Sequence, residues 1–318
     1  MDEANAAMRC DLHVHSIHSG PTDLPVLGRV GNECYSEPEA VYEAARRRGM
    51  TLVTLTDHDS IEGVLRLAGR PDVFVSEEVT VTVPGGRILH LGVYDIDEAQ
   101  HRGIVARRGD AEQLFAYLAE ERIPAAVNHL FSALTGRRDT TDLHLPLSRV
   151  PLVEVRNGMM SPRTNAFAAT AARLAGLASV GGSDAHTLAS VARAFTTVVG
   201  ARDKREFLDG LRRGLTIPEG RSGSYARLTA DVARLFASAY VETARHSLET
   251  PALAARFAAL VALLPVLGLI PVVTAAIYSQ EILFAAHHHR RFLASLSGGP
   301  AGIGPATFGP PTTAPSLG

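Results

Sequence analysis

The feature that most restricts this chain is a unit repeated through its first two thirds: a short apolar or β-branched run meeting a histidine or carboxylate, then a helical pattern. Such runs occupy 10–14, 51–56, 73–83, 88–94, 124–128, 152–155, 178–181 and 195–199. Short strands alternating with helices mark an α/β domain with parallel strands, and about eight strands is the number a closed barrel needs. The helical stretches carry their own punctuation. Ser36 and Glu39 form an S-x-x-E box ahead of 40–48, with Gly49 as the stop; Asp110 caps 111–121; Ser161 and Pro162 read as N-cap and first residue of a helix ending at Gly176.

Polar groups interrupt these runs in a pattern. Residues i and i+2 of a strand share a face, so His13-Val14-His15 turns two imidazoles the same way. The run 51–56 empties into Asp57-His58-Asp59, and Glu77-Glu78 breaks an otherwise apolar stretch, which is costly in a buried strand unless a cation or hydrogen bonds compensate. His90 lies within 88–94, His129 closes 124–128, Glu154 lies in 152–155, and 178–181 leads into Gly182-Ser183-Asp184-Ala185-His186. In a parallel barrel the strand C-termini open on one face, where these groups would converge. Each alone has an ordinary reading: a core or surface histidine at 90 or 129, a solvent-facing Glu77 or Glu78, a helix cap at Asp184. Their recurrence at run after run favours a shared site. His18 reads as a rim residue, His101, His144 and His246 as exposed positions, and His287-His288-His289 as an interfacial cap.

The formal charge of −2 over 318 residues supplies no bulk field for nucleic acid, so no duplex partner is expected. Two cysteines, Cys10 and Cys34, exclude a disulfide framework and point to a reducing compartment; residues 1–9 lack an apolar core, so a cytoplasmic catalytic domain is expected. Three segments follow: a catalytic domain over 8–218, a helical extension over 219–296, and a Gly/Pro-rich tail, 297–318, expected to be disordered. Within the extension, 257–279 has no charged side chain and is long enough to cross a bilayer. Its Pro265 and Pro271 suit a kinked membrane segment, a hairpin dipping into the membrane, or soluble apolar helices covering the barrel or a dimer interface. Basic residues on both sides, Arg245, Arg256, Arg290 and Arg291, set no orientation.

In this order the motifs resemble the polymerase and histidinol phosphatase (PHP) superfamily of metal-dependent phosphoesterases. The H-x-H matches His13 and His15, T-D-H-D matches 56–59, the later glutamate Glu78, the single histidines His90 and His129, and G-S-D-A-H matches 182–186. The resemblance covers about 9–218 and implies a distorted seven-stranded, TIM-like (β/α)7 barrel. It implies His13, His15, His58, Glu78, His90, His129, Asp184 and His186 as ligands to two or three divalent ions, and such a donor set suits Mn, Zn or Fe. One departure stands out. Many family members carry S-D-G shortly after the H-x-H, whereas Ser19 here precedes Gly20 and Pro21; Asp23 is the candidate replacement, and two ions are the safer number.

The expected reaction is hydrolysis of a phosphate ester by metal-activated water, on a nucleotide-like or other small phosphorylated metabolite. Asp11 and Asp57 are expected to orient imidazoles, and Arg156, Arg137 and Arg138 are candidate phosphate clamps. The alternatives are a nuclease for short oligonucleotides and a non-catalytic metal-binding regulatory module at the membrane.

Overall fold

The alternation is realised as an α/β arrangement followed by helices. The computed structural model describes residues 6–21, 31–133, 141–246, 249–262 and 264–297. It opens with β1 (Ala7–Cys10), a 3-10 turn at Ile17–Ser19, α1 (Pro38–Arg47) and a short α2 (Glu62–Leu65). Then come β2 (Ser76–Val83), β3 (Arg87–Tyr94), α3 (Glu98–Val105), α4 (Ala111–Glu120), β4 (Ala125–Val127) and α5 (Thr141–Leu147). β5 (Leu152–Asn157), α6 (Pro162–Ala175), β6 (Ala178–Gly182), β7 (Ala194–Val199), α7 (Lys204–Arg212) and β8 (Ile217–Gly220) complete the α/β part. The extension is α8 (Tyr225–His246), α9 (Pro251–Ala262), a 3-10 stretch at Leu264–Leu269 and α10 (Ile270–Ser297).

Among the described residues the ladders form two sheets, not one closed barrel. One has the order β2-β3-β4-β5-β6, the other β1-β7-β8. Only β4, β5 and β6 run parallel; β2, β3 and β4 alternate in direction, as do β1, β7 and β8. The expected all-parallel set fails at 84–86, where Pro84-Gly85-Gly86 turns the chain straight back; both glycines have positive φ, 91° and 75°. Segments 11–15 and 51–58 are held by single parallel bridges, Val14 to Ala185, Val53 to Val73 and His58 to Glu78. Side chains have taken backbone donors of these segments, Asp11 accepting from His13 N and Thr56 Oγ1 from Val14 N, so no regular ladder forms there.

The caps at Asp110 and Ser161 form as predicted, accepting from Gln113 N and Thr164 N, and Gly176 closes α6 in the left-handed region. α1 departs from expectation: Glu37 is its N-cap and Pro38 its first residue, where a missing N–H costs nothing. The reciprocal capping box occurs instead at Asp97 and Gln100.

In β2, Val79, Val81 and Val83 belong to the main buried cluster with Ile104, Leu114 and Leu118. The two-residue period puts Glu77 on that face and Glu78 on the opposite one.

The apolar stretch 257–279 is not one helix. α9 ends at Ala262, Pro265 lies in the 3-10 stretch, and Pro271 sits in the first turn of α10. α10 buries Thr274, Glu281, Ala285, His288 and Phe292, spaced to share one face. That face packs on the α/β part and on α8. Thr274 and Thr229 hydroxyls meet at 2.7 Å, His289 stacks on Phe167 with centroids 4.2 Å apart, and Glu281 accepts from Ala133 N at 2.9 Å. Val272, Val273 and Leu283 face outward. By length and composition alone, Leu267–Leu296 is also a candidate membrane helix, a weak indication.

Candidate metal centre

All eight side chains singled out as ligands come together. They form four overlapping triads whose donor atoms lie within 4.8 Å of one another: His15, His58 and His186; His13, His15 and Asp184; His13, Glu78 and His129; His58, Glu78 and His90. Glu78 is the hub. One of its oxygens lies 3.1, 3.5 and 3.4 Å from ring nitrogens of His13, His15 and His58, and the other 3.2 and 3.5 Å from His129 and His90. Asp184 Oδ1 lies 3.5 Å from both His13 Nε2 and His15 Nε2. The backbone is bent to do this: His129 and Asp184 hold positive φ, 28° and 53°, at a cost of order 1–3 kcal/mol each for a non-glycine residue.

These groups fit a cation better than they fit one another. Nε2 of His13, His15 and His186, both nitrogens of His90 and Nδ1 of His129 are buried without a hydrogen-bond partner among the described residues. Two ligands about 2.1 Å from a tetrahedral ion stand about 3.4 Å apart, the spacing found here between imidazole nitrogens and carboxylate oxygens. Burial works against charge on Glu78 and Asp184, yet His13 and the other surrounding imidazoles hold both carboxyls well below their usual range. Burial keeps His58 and His90 below theirs, which leaves neutral nitrogen donors. His13 goes the other way, because Glu78, Asp184 and Glu154 outweigh its burial. A proton there does the work a cation would do, and metal binding would displace it.

A second layer orients the rings. Glu154 Oε1 takes His13 Nδ1 at 2.9 Å, which turns Nε2 toward Glu78. Asn157 Nδ2 donates to Glu154 at 2.8 Å and to Asp184 at 3.1 Å, while Asn128 Nδ2 donates to Glu78 at 2.8 Å. Ser19 donates to Asp57 at 2.8 Å and so accepts from His15 Nδ1 at 3.0 Å, leaving Nε2 of that ring for the cluster. His186 Nδ1 meets the Asp184 carbonyl at 3.0 Å, with the same result.

Several expectations need correction. Asp11 and Asp57 do not touch a ring nitrogen among the described residues. Asp11 ties His13 N, Ser183 N, Ser183 Oγ and Ala192 N together, whereas Asp57 reaches His15 only through Ser19. The ring of His13 is oriented by Glu154 instead. Arg156 meets Ser222 Oγ at 3.4 Å and, among the described residues, no member of the cluster. Glu77 turns from the site and pairs with His101 at 3.0 Å, so His101 is not merely a solvated position. Glu78 and His90 lie within β2 and β3, not at strand C-termini, because those strands form a hairpin. Asp23, Arg137 and Arg138 lie outside the described residues.

Glu33 is the residue that sequence reasoning passed over. Its carboxylate lies 3.3 Å from His58 Nε2 and 3.4 Å from His186 Nε2. Despite burial, His186 and its neighbours bring its carboxyl down to about 2, and Glu33 in turn helps raise His186 to about 9. Glu33 stands in a loop outside every strand run, so only its position in space reveals it.

Residues 162–216 match the family described as PHP-associated. No curated protein matches the chain. PsfC of Pseudomonas syringae PB-5123 superposes with a TM-score of 0.46 at 17% identity, over 74% of this chain and 97% of its own. A protein of Bifidobacterium adolescentis described as a metal-dependent phosphoesterase gives 0.45 at 14% identity, over 65% and 97%. An amidohydrolase from Chromobacterium violaceum with bound sulfate and no metal gives 0.44 at 17%, over 65% and 97%. At these scores the superpositions carry neither fold nor chemistry over to this chain. The matched stretch contains Asp184 and His186 of the cluster, so this part of the chain is similar to the PHP-associated family.

Proposed function

We propose that this protein is a metal-dependent hydrolase of phosphate esters, a phosphomonoesterase or small phosphodiesterase acting on a nucleotide-like or other small phosphorylated metabolite. The observation that carries the reading is the set of buried, unpartnered imidazole nitrogens around Glu78 and Asp184. His13, His15, His58, Glu78, His90, His129, Asp184 and His186 would hold two divalent ions, Mn, Zn or Fe, and Glu33 offers a carboxylate for a third. Such ions supply Lewis acidity and an acidified water at neutral pH.

The chain's own groups supply order. Glu154, Ser19 and the Asp184 carbonyl hold three imidazoles with Nε2 facing inward, and Asn128 and Asn157 hold the carboxylates against rotation. The single bridges at Val14, Val53 and His58 support reading 8–218 as a distorted seven-stranded barrel, with 219–296 as its helical extension. The outward-facing Val272, Val273 and Leu283 support membrane attachment of a cytoplasmic catalytic part through the C-terminal helices.

The test uses the full-length protein: metal content by plasma mass spectrometry, then phosphate release from a panel of mono- and diesters and short oligonucleotides. Bound metal with turnover lost in His58→Ala is the expected result. Stoichiometric metal without turnover of any ester would overturn the enzyme reading, and faster cutting of oligonucleotides would replace the substrate class. Partition of full-length protein away from floated vesicles would remove the membrane attachment.

A further inference from the structure

The extension reaches the metal centre through two buried carboxylates. Asp231 of α8 accepts from Thr187 Oγ1 at 2.9 Å and from Ser190 Oγ at 2.6 Å, and Thr187 directly follows His186. Glu281 of α10 accepts from Ala133 N at 2.9 Å, extending a turn in which Ser132 N donates to the His129 carbonyl at 2.8 Å. Each carboxylate thus grips the loop that leaves one of the clustered histidines.

Neither contact is an economical way to dock a helix. Asp231 and Glu281 are only 2% and 8% exposed, and a buried carboxylate is unfavourable unless polar groups meet it. Glu281 is moreover the only Asp, Glu, Lys or Arg between Arg256 and Arg290, in a stretch whose apolar side chains could dock α10 without it. The loops supply the reason. His129 and Asp184 stand in the left-handed region, and such a backbone persists only where its surroundings over-determine it. Within the α/β part, Glu154 accepts from His129 N at 2.9 Å, and Arg48 donates to the carbonyls of Leu188 and Val191 at 2.7 and 2.6 Å. The extension adds a further hold on each loop, at Ala133 and at Thr187. The two holds are themselves joined, since the Thr229 and Thr274 hydroxyls meet at 2.7 Å and Tyr225 OH donates to the Pro271 carbonyl at 2.9 Å.

We propose that the extension is a clamp on the metal centre, with Asp231 the positioning residue for His186 and Glu281 the positioning residue for His129. The inference rests on the reading of the cluster as a metal site. It makes α8 and α10 determinants of metal affinity although neither contributes a ligand. His186 and His129 share no triad, so the two grips bear on different parts of the cluster.

The test is the zinc affinity of the full-length protein, by stepwise competition with a chromophoric chelator, alongside its melting temperature. Asp231→Ala should weaken one binding step about tenfold, and Glu281→Ala a different step by a similar factor, the low end of what losing an orienting partner does to a metal ligand. Glu281→Gln keeps an acceptor for Ala133 N and should return affinity to within about twofold of wild type. From the loop side, Thr187→Val with Ser190→Ala should reproduce the Asp231→Ala loss, and adding Asp231→Ala to that pair should lower affinity no further. A merely structural role would weaken every step alike, in proportion to the fall in melting temperature. That pattern, or a loss in Glu281→Gln equal to that in Glu281→Ala, overturns the proposal. Zinc bound as tightly by the alanine variants as by wild type refutes the clamp and leaves the metal reading standing, whereas no zinc on the wild-type protein refutes both.

Discussion

Replacing Gly182 with alanine should damage the metal centre from behind. Gly182 is buried where β6 runs beneath the H-x-H segment, and its backbone is outside the left-handed region, so alanine meets no torsional objection there. The objection is space. A methyl at this position would overlap His13 Cβ outright and lie 2.7 Å from His13 N and 3.0 Å from its Cα, against about 3.5–4.0 Å for an ordinary carbon contact. His13 must therefore shift by about 1 Å, since the obstacle is its own backbone and first side-chain carbon. Overpacking of this kind costs about 1–3 kcal/mol, which at about 2–4 °C per kcal/mol lowers the melting temperature by roughly 2–12 °C. His13 takes part in two of the four triads, so metal content per folded protein should also fall by about half or more. Differential scanning fluorimetry and plasma mass spectrometry on the same preparation read both quantities. An unchanged melting temperature would refute the packing argument. A lowered one with full metal content would refute the role of His13 as a ligand.

Glu154→Gln keeps the shape but weakens the hold on His13 Nδ1, so metal affinity in a chelator competition should drop about 10- to 100-fold, and equal affinity would contradict the orienting role. Burial raises Asp11 from 3.8 to about 6 against four hydrogen-bond donors, so between those values the folded chain binds more protons than the unfolded one. The contribution is fully present below about pH 4 and lost as pH rises through 6, a total of about 3 kcal/mol. The destabilisation caused by Asp11→Asn, measured by urea unfolding, should therefore shrink between pH 4 and 7; growth over that range would reverse the assignment. Phe292 of α10 is fully buried in the main cluster, so Phe292→Ala should cost about 3–5 kcal/mol, and an unaltered melting temperature would mean that α10 does not dock in solution.

What could be read directly from the chain was whatever depends on near neighbours. The caps at Asp110 and Ser161, the stop at Gly176 and the shared face of His13 and His15 follow from periodicities of a few residues, and each appears where its spacing puts it. The eight clustered side chains were visible for the same reason, since each interrupts or ends an apolar run. Strand direction was less legible: the Pro84-Gly85-Gly86 turn made a hairpin where a parallel crossover was expected, and β8 was hidden by Pro218, tolerated on an edge strand.

Other features were settled only by the tertiary structure, because they depend on which distant segments meet. Glu33 reaches His58 and His186 from a loop with no pattern of its own, and Glu154, not the expected Asp11, orients His13 across 141 residues of sequence. The apolar stretch 257–279 gave the chain a membrane-like appearance, yet length and hydropathy measure composition alone and are blind to the face of α10 on which Thr274 meets α8 and Ala285 and Phe292 join the main core. Sequence by itself determined which side chains were available for a metal and in what order. Packing decided which of them meet, what holds them, and that Arg234 of α8 lines a cleft together with His186.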